Sequence, residues 1–130
     1  QLIEAQGGNP AIDEDPCGLP QADVIEIWSA PRDGVVVQVE PRRIGRAIIQ
    51  LGGGRQTVTD DVDPAVGFVI TAKPGDKVRA GEPLASIYAR TPSAAAEAAD
   101  ALREAIVIGD LGPVLPLVSH RVTVDGVEAW

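Results

Sequence analysis

Residues 75–87 carry the pattern that most restricts the fold of this chain, Gly-Asp-x-Val-x-x-Gly-x-Pro-Leu-x-x-Ile. Its first Gly-Asp pair favours a turn, and Gly81 supplies a second one because glycine adopts backbone angles that other residues avoid. Three spaced apolar side chains then return to one small core: Val78, Leu84 and Ile87. The pattern predicts a β-hairpin that packs on a similar segment, and residues 30–39 fit the second half of such a sandwich.

This hairpin resembles that of biotinyl and lipoyl carrier domains and of other barrel-sandwich folds. A carrier presents a modified lysine at an exposed hairpin tip, between two methionines in biotinyl domains. The chain contains no Met, and residues 88–90 follow the motif without a lysine to acylate. Lys73 and Lys77 lie in the turn that precedes the predicted hairpin. The sequence therefore argues against a swinging-arm carrier.

Strands and helices are predicted along the whole chain after a Pro-, Asp- and Gly-rich connecting loop at residues 9–23. Apolar residues at helical spacing predict a short helix over 44–51 that Gly52 ends, and Thr91 is a good N-cap for a helix near 92–106. The predicted strands are 24–30, 35–39, 68–72, 106–108 and 117–124, with Asp125-Gly126 as a turn.

The balance of charge excludes several kinds of partner. The chain has 130 residues, 11 Lys and Arg against 19 Asp and Glu, and a net charge of −8. This charge argues against nucleic acid and against anionic membranes as partners, because both bind clustered cations.

No apolar run reaches the roughly 18 residues that span a bilayer. The single cysteine, Cys17, can form neither an internal disulfide nor a Cys/His zinc site, so a reducing, cytoplasmic setting is expected.

The chain begins at Gln1 and contains no Met, which predicts a piece of a longer protein. Residues 1–8 have the pattern of the last turns of a helix closed by a glycine cap. The helix near 92–106 has an alanine-rich face that we expect to have lost a partner. The helical spacing of five residues predicts the buried stripe of this helix: Ala95, Ala98, Ala99, Leu102 and Ile106.

The run Gly52-Gly53-Gly54-Arg55 suggests a phosphate cradle, because glycine N–H groups and an arginine suit an anion. A P-loop, however, leads into a helix, whereas these glycines follow one. A helix C-cap is the favoured interpretation, and a role for Arg55 in closing an active site stays open. Three cations at the start of the same helix are expected to be solvated or ion-paired: Arg42, Arg43 and Arg46.

Two groups of acidic residues partly resemble metal sites. The opening of a calcium loop is imitated by Asp13, Asp15 and Gly18. However, Cys17 occupies a ligand position and Val24 stands where a bidentate Glu is needed, so calcium is rejected. The cluster Asp60, Asp61 and Asp63 lacks a His or a second carboxylate group at ligand spacing. We expect it to form a solvated turn with side-chain caps on backbone N–H groups.

Four single residues that can take part in catalysis or binding are not expected to do so here. His120 has no nucleophile motif near it, and Cys17 has no cationic neighbour that would make it a thiolate. Trp28 and Phe68 are expected to be core residues, because a chain with so few aromatics has few to expose.

Several segments occur in a distinctive order that closely resembles the C-terminal part of thymidine phosphorylase and pyrimidine-nucleoside phosphorylase. The resemblance extends from Gln1 to about Gly109, and the last twenty residues match less clearly. Anthranilate phosphoribosyltransferase is a more distant relative that lacks this C-terminal module. The segments are Gln6-Gly7-Gly8-Asn9-Pro10, Ala30-Pro31 with Gly34, Leu51-Gly52-Gly53-Gly54-Arg55, Asp63-Pro64-Ala65-Val66-Gly67-Phe68, the Gly75–Leu84 motif and Ile108-Gly109-Asp110.

The resemblance implies an α+β fold of α/β-hammerhead type: a barrel-sandwich-like sheet with an inserted short helix and flanking helices. It divides the chain into a helix end and loop (1–23), the hammerhead domain (24–90) and a helix with a C-terminal strand segment (91–130). It also implies a homodimeric, metal-independent enzyme that converts a pyrimidine nucleoside and phosphate to free base and pentose 1-phosphate. Phosphate is then a co-substrate, and no cofactor is needed.

The catalytic motifs of the family, a KxSTGG-type loop and an Arg, Ser and Lys set around the base, do not occur in these residues. We therefore assign no catalytic, cofactor-binding or metal-binding residue here, and expect the isolated chain to be inactive. The expected partner is the remainder of a phosphorylase chain. The alternative is an independent barrel-sandwich interaction module.

Overall fold

The structure is a computed structural model that describes residues 2–13, 19–112 and 119–129. Gln1, the calcium-loop positions Asp15 and Gly18, Cys17 and the first part of the predicted strand 117–124 lie outside the described residues. None of the described helices is both long enough and apolar enough to cross a membrane.

Helices and antiparallel strands are mixed along the chain, which confirms the α+β class. The α-helices are α1 (Leu2–Ala5), α2 (Pro41–Gln50) and α3 (Pro92–Ala105), with a 3-10 helix at Pro10–Asp13. The strands are β1 (Val24–Ser29), β2 (Gly34–Val39), β3 (Gly67–Ile70), β4 (Lys77–Val78), β5 (Pro83–Ala89), β6 (Ile106–Gly109), β7 (His120–Thr123) and β8 (Gly126–Ala129).

The predicted glycine cap near the N-terminus is present at the end of α1. Gly7 has φ +81°, and its N–H donates to the carbonyl of Glu4 at 3.0 Å. The N–H of Gly8 reaches back to the carbonyl of Ile3 at 2.8 Å. This pair of bonds is a Schellman motif, which satisfies carbonyls that the helix end would leave unpaired.

The strands form two three-stranded antiparallel sheets and one separate hairpin. The first sheet has the order β1-β5-β3, the second β4-β2-β6, and β7 pairs with β8. The two segments predicted to pack together, 30–39 and 75–87, do pair through β2 and β4, and β1 pairs with β5 in the other sheet.

The predicted hairpin within residues 75–87 is wrong, because β4 and β5 belong to different sheets. The intervening turn passes the chain from one sheet to the other, and Gly81 (φ +82°) donates its N–H to the carbonyl of Ala30 at 2.8 Å. β5 takes the central position of the first sheet, between β1 and β3, and four of its seven residues are buried. The buried residues are Leu84, Ala85, Ile87 and Ala89.

The turn after β1 and the turn after β4 face each other and are bonded together. Ala30 donates its N–H to the carbonyl of Glu82 at 2.9 Å, and the Asp33 carboxylate accepts the N–H of Ala80 at 2.7 Å. These bonds tie the two sheets at the point where both chain segments cross.

Helix α3 covers the inner face of the first sheet and packs on α2, β1, β5 and β6. Thr91 is its N-cap and accepts the N–H of Ala94 at 3.2 Å, as predicted. The predicted buried stripe is confirmed, because Ala95 is 0% exposed, Ala98 4%, Ala99 9%, Leu102 0% and Ile106 3%. The expectation that the alanine-rich face of this helix has lost a partner is therefore wrong. Small side chains let the helix approach the sheet closely, so the face is a core surface.

The core lies between α3 and the sheets. Its largest fully buried side chains are Ile87, Leu102 and Val36. Trp28 is also buried, and Phe68 packs against the same cluster half-buried, so both aromatic predictions are confirmed. The predicted turn at Asp125-Gly126 is also confirmed, as it joins β7 to β8.

Candidate functional site

The long connection between α2 and β3, residues 51–66, is the candidate site because it contains the Gly52–Arg55 run and the acidic cluster. It begins at the end of α2, which ends at Gln50 and is capped by Leu51 and the glycines after it. We refer to residues 52–66 as the glycine-acid loop.

The first two glycines of this loop cap the helix, as predicted. Gly52 has φ +95° and donates its N–H to the carbonyl of Ile49 at 3.0 Å, and Gly53 donates to Ile48 at 2.9 Å. A phosphate cradle needs N–H groups that point at the anion. Because these two N–H groups are bonded to their own helix, Gly52 and Gly53 do not form such a cradle.

Gly53 also sits against the far end of the loop. A Cβ atom built on Gly53 would lie 3.1 Å from the carbonyl oxygen of Val66 and 3.0 Å from the Cγ2 atom of Ile48. Both distances are shorter than an ordinary van der Waals contact. The position therefore favours glycine because the two ends of the loop meet there.

Asp60 organises the middle of the loop. Its carboxylate accepts the backbone N–H groups of Gln56 and Thr57, each at 2.9 Å, and also the Thr57 hydroxyl. The Thr57 hydroxyl, followed by the two backbone N–H groups, lowers the pKa of Asp60. The predicted side-chain capping is thus confirmed, and this carboxylate is used by the loop itself.

Asp63 joins the loop to the end of β5 through Arg90. The Arg90 Nε atom donates to one carboxylate oxygen of Asp63 at 2.6 Å and its Nη2 atom to the other at 2.8 Å. Asp63 also accepts the N–H of Ala65 at 3.0 Å and donates its own N–H to the carbonyl of Gly52 at 2.9 Å. A bidentate pair of this kind fixes orientation as well as distance.

Arg90 binds a third segment in addition to the loop and the strand. Its Nη1 atom donates to the carbonyl of Gln21 at 2.8 Å and to the carboxylate of Asp23 at 3.3 Å, just before β1. The bond to Asp63 raises the pKa of Arg90, and the bond from Arg90 lowers the pKa of Asp63. The Arg90 side chain is 41% exposed, so water screens part of this attraction.

The sequence did not predict the Asp63–Arg90 ion pair. Asp63 and Arg90 are separated by 27 positions, and nothing local to either residue indicates the other. The only available signal was the lone arginine directly before the Thr91 cap, which is not specific.

The cations at the start of α2 behave as a solvated surface. Arg43 pairs with Glu104 of α3 at 2.7 Å, and Arg42 and Arg46 are exposed. The Glu40 carboxylate accepts the Arg42 N–H at 3.1 Å, which places a negative charge at the positive end of the helix and offsets the three cations.

Other residues singled out from the sequence are not brought together. His120 is exposed in β7. Lys77 pairs with Val35 inside the second sheet, and Lys73 lies in the turn before it, so neither projects from the Gly81 turn. Within residues 2–13, 19–112 and 119–129, no three His, Cys, Asp or Glu side chains are grouped so that they could hold a metal ion.

Comparison with known proteins gives one consistent result. The model of the pyrimidine nucleoside phosphorylase C-terminal domain family matches residues 35–109. A thymidine phosphorylase of Burkholderia cenocepacia is 41% identical over 123 residues, which cover 94% of this chain and 28% of that protein. Thymidine phosphorylases of Burkholderia orbicola and Burkholderia lata are 38% and 36% identical, with the same shares covered. The chain thus spans little more than a quarter of the length of these curated relatives.

Proposed function

The chain belongs to the family of pyrimidine nucleoside phosphorylase C-terminal domains, and from that premise we propose that it serves as the C-terminal structural and closure domain of a phosphorylase. The whole enzyme would convert a pyrimidine nucleoside and phosphate to free base and pentose 1-phosphate. The observation that carries the proposal is the family match over residues 35–109, together with relatives that are thymidine phosphorylases.

The proposed fold is the α/β-hammerhead, divided into residues 1–23, 24–90 and 91–130. It is supported by the pairing of β1 with β5 and of β2 with β4, and by the position of α2 between β2 and β3. We also propose that the whole protein is a cytoplasmic homodimer that requires no metal or cofactor.

In this proposal the domain provides no catalytic residue and acts through its packing on the rest of the enzyme. The glycine-acid loop is the segment best suited to face the substrate cleft. Asp60 and the Asp63–Arg90 pair hold it in one conformation, and Arg55 is exposed within it. A loop that is ordered before closure loses less conformational entropy when the domains close over substrate.

Phosphorolysis assays test the proposal directly. The complete product of the gene and the 130-residue chain are each incubated with thymidine or uridine and inorganic phosphate, and the release of free base is measured. The complete product is expected to release base from at least one nucleoside, and the 130-residue chain from neither. Turnover by the short chain, or none by the complete product, contradicts the proposal.

The role of the loop is tested in the complete product with Arg55→Gln, and Arg79→Gln is the matched control at another exposed arginine. The first substitution is expected to lower kcat/KM, because a cation that approaches the cleft only on closure stabilises the closed state. The control is expected to leave it unchanged. Equal values for the two variants would remove Arg55 from the closure step.

A further inference from the structure

The first sheet has a second face whose edge-strand positions are exposed to solvent. Side chains alternate along a strand, and Trp28, Ala85 and Ile87 point into the core. The opposite positions of the edge strands carry large aliphatic side chains that are exposed to solvent: Ile25 by 59%, Ile27 by 52% and Val69 by 53%.

These residues form two rows across the three strands. In one row Tyr88 pairs with Ile25 on one side and Gly67 on the other, and in the next row Ser86 pairs with Ile27 and Val69. We call these six positions the outer face: Ile25, Ile27, Gly67, Val69, Ser86 and Tyr88.

The outer face is unusual for a sheet surface in water. An antiparallel sheet with one solvated face normally alternates apolar residues inward with polar residues outward. Charged residues make up 23% of this chain, yet none occupies the outer face. A sheet that is apolar on both sides is expected to have a second layer packed on it.

We propose that the outer face is the docking surface for the phosphorylase residues that precede this domain in the longer members of the family. This inference rests on the proposed function. The matched family is a C-terminal domain, and the curated relatives are more than three times as long as the part that this chain matches.

The path of the chain supports this occupant. Residues that precede the domain connect through residues 19–23 to β1, the strand that carries Ile25 and Ile27. Arg90 fixes that connection at Gln21 and Asp23. Residues before Gln1 reach β1 through residues 1–23, and a connection of this length holds them at a high local concentration, on the order of millimolar, so a modest apolar patch is enough to keep them docked.

The charge of the chain disfavours a second copy as the occupant. Each copy has a net charge of −8, so two copies repel each other. The outer face itself is uncharged and gives no compensating ion pairs.

Thiol labelling in the complete gene product tests the proposal, in a background where the natural thiol is removed by Cys17→Ser. Ile27→Cys and Val69→Cys probe the outer face. Ala96→Cys is the matched control, since Ala96 is exposed on α3, which covers the opposite face of the sheet. Each variant is labelled with a maleimide both in the complete product and in the 130-residue chain.

The I27C and V69C thiols are expected to react about tenfold or more slowly in the complete product than in the 130-residue chain, because docking leaves them reactive only in rare open states. The A96C thiol is expected to react at similar rates in both. Similar rates at all three sites overturn the proposal. Slow labelling of I27C already in the short chain, with a dimer in sedimentation, assigns the face to a second copy and also overturns it.

Phosphorolysis measured on the same samples separates this inference from the proposed function. An active complete product with freely reactive I27C and V69C thiols refutes the docking surface alone. An inactive product with protected thiols refutes the proposed function and leaves the docking surface in place. A gene product that adds no residues before Gln1 overturns both.

Discussion

Replacing Ala95 by leucine tests whether the alanine-rich face of α3 is a core surface. Ala95 is 0% exposed and belongs to the core cluster, on a helix that packs against α2, β1, β5 and β6. Leucine exchanges a methyl group for an isobutyl group, and a close-packed interior has no space for it. Ala96 is the matched control, because it is the next residue of the same helix and is exposed.

The expected cost of Ala95→Leu is about 1–3 kcal/mol, the usual range for overpacking a core. Alanine and leucine have similar helix propensities, so Ala96→Leu is expected to stay within about 0.5 kcal/mol of the parent chain. For a domain of this size, 1 kcal/mol corresponds to about 3–5 °C in Tm.

Urea denaturation followed by far-UV circular dichroism measures both variants. The linear extrapolation gives the free energy of unfolding, and unchanged m values confirm that native compactness is retained. If Ala95→Leu is as harmless as Ala96→Leu, the face is not packed as described, and the docking of α3 on the sheet is refuted.

Three further substitutions are expected to change the stability of the chain in different ways. Leu102→Ala, at a side chain that is 0% exposed, is expected to lower the free energy of unfolding in urea by about 2–5 kcal/mol; a loss below 1 kcal/mol contradicts its central position. Gly45→Ala in α2 is expected to raise the same quantity by about 0.5–1 kcal/mol, because a Cβ there meets nothing within 4 Å and glycine weakens a helix interior; a loss would mean that the site is crowded. Asp63→Asn is expected to lower Tm at pH 7. Because the pKa of Asp63 is lowered in the fold, its contribution is complete above its unfolded value of about 3.9 and disappears as the pH falls through the folded value. The Tm difference between the parent chain and Asp63→Asn should therefore shrink below about pH 4, and a difference that is constant with pH rejects the ion pair.

Locally determined features were predictable from the sequence. The Thr91 cap and the Gly52 cap each depend on a few adjacent residues and their own backbone bonds, and both predictions are confirmed. A local argument also distinguished a helix cap from a phosphate cradle, because glycines that follow a helix direct their N–H groups back to it.

Features that depend on distant pairing were not predictable. The turn at Gly81 was correctly placed, but β4 pairs with β2 and β5 pairs with β1 and β3, and none of these partners is its neighbour along the chain. Alternating apolar residues indicate a strand without indicating its neighbour. The Asp63–Arg90 pair was missed for the same reason, because an ion pair between two loops leaves no periodic pattern in the sequence.

The pairing order of the two sheets has a consequence for synthesis of the protein. Within the described residues, no strand of either three-stranded sheet pairs with the next strand along the chain, and β2 is completed only by β6. Contacts that close long loops form slowly, because the entropy of closure is lost before the contacts stabilise the fold. While the chain is being translated, neither sheet can therefore assemble before β5 and β6 have left the ribosome. Until then β1 is unpaired and β2 has only the two-residue strand β4 as a partner within its sheet, and a growing chain with such exposed apolar strands is expected to bind chaperones.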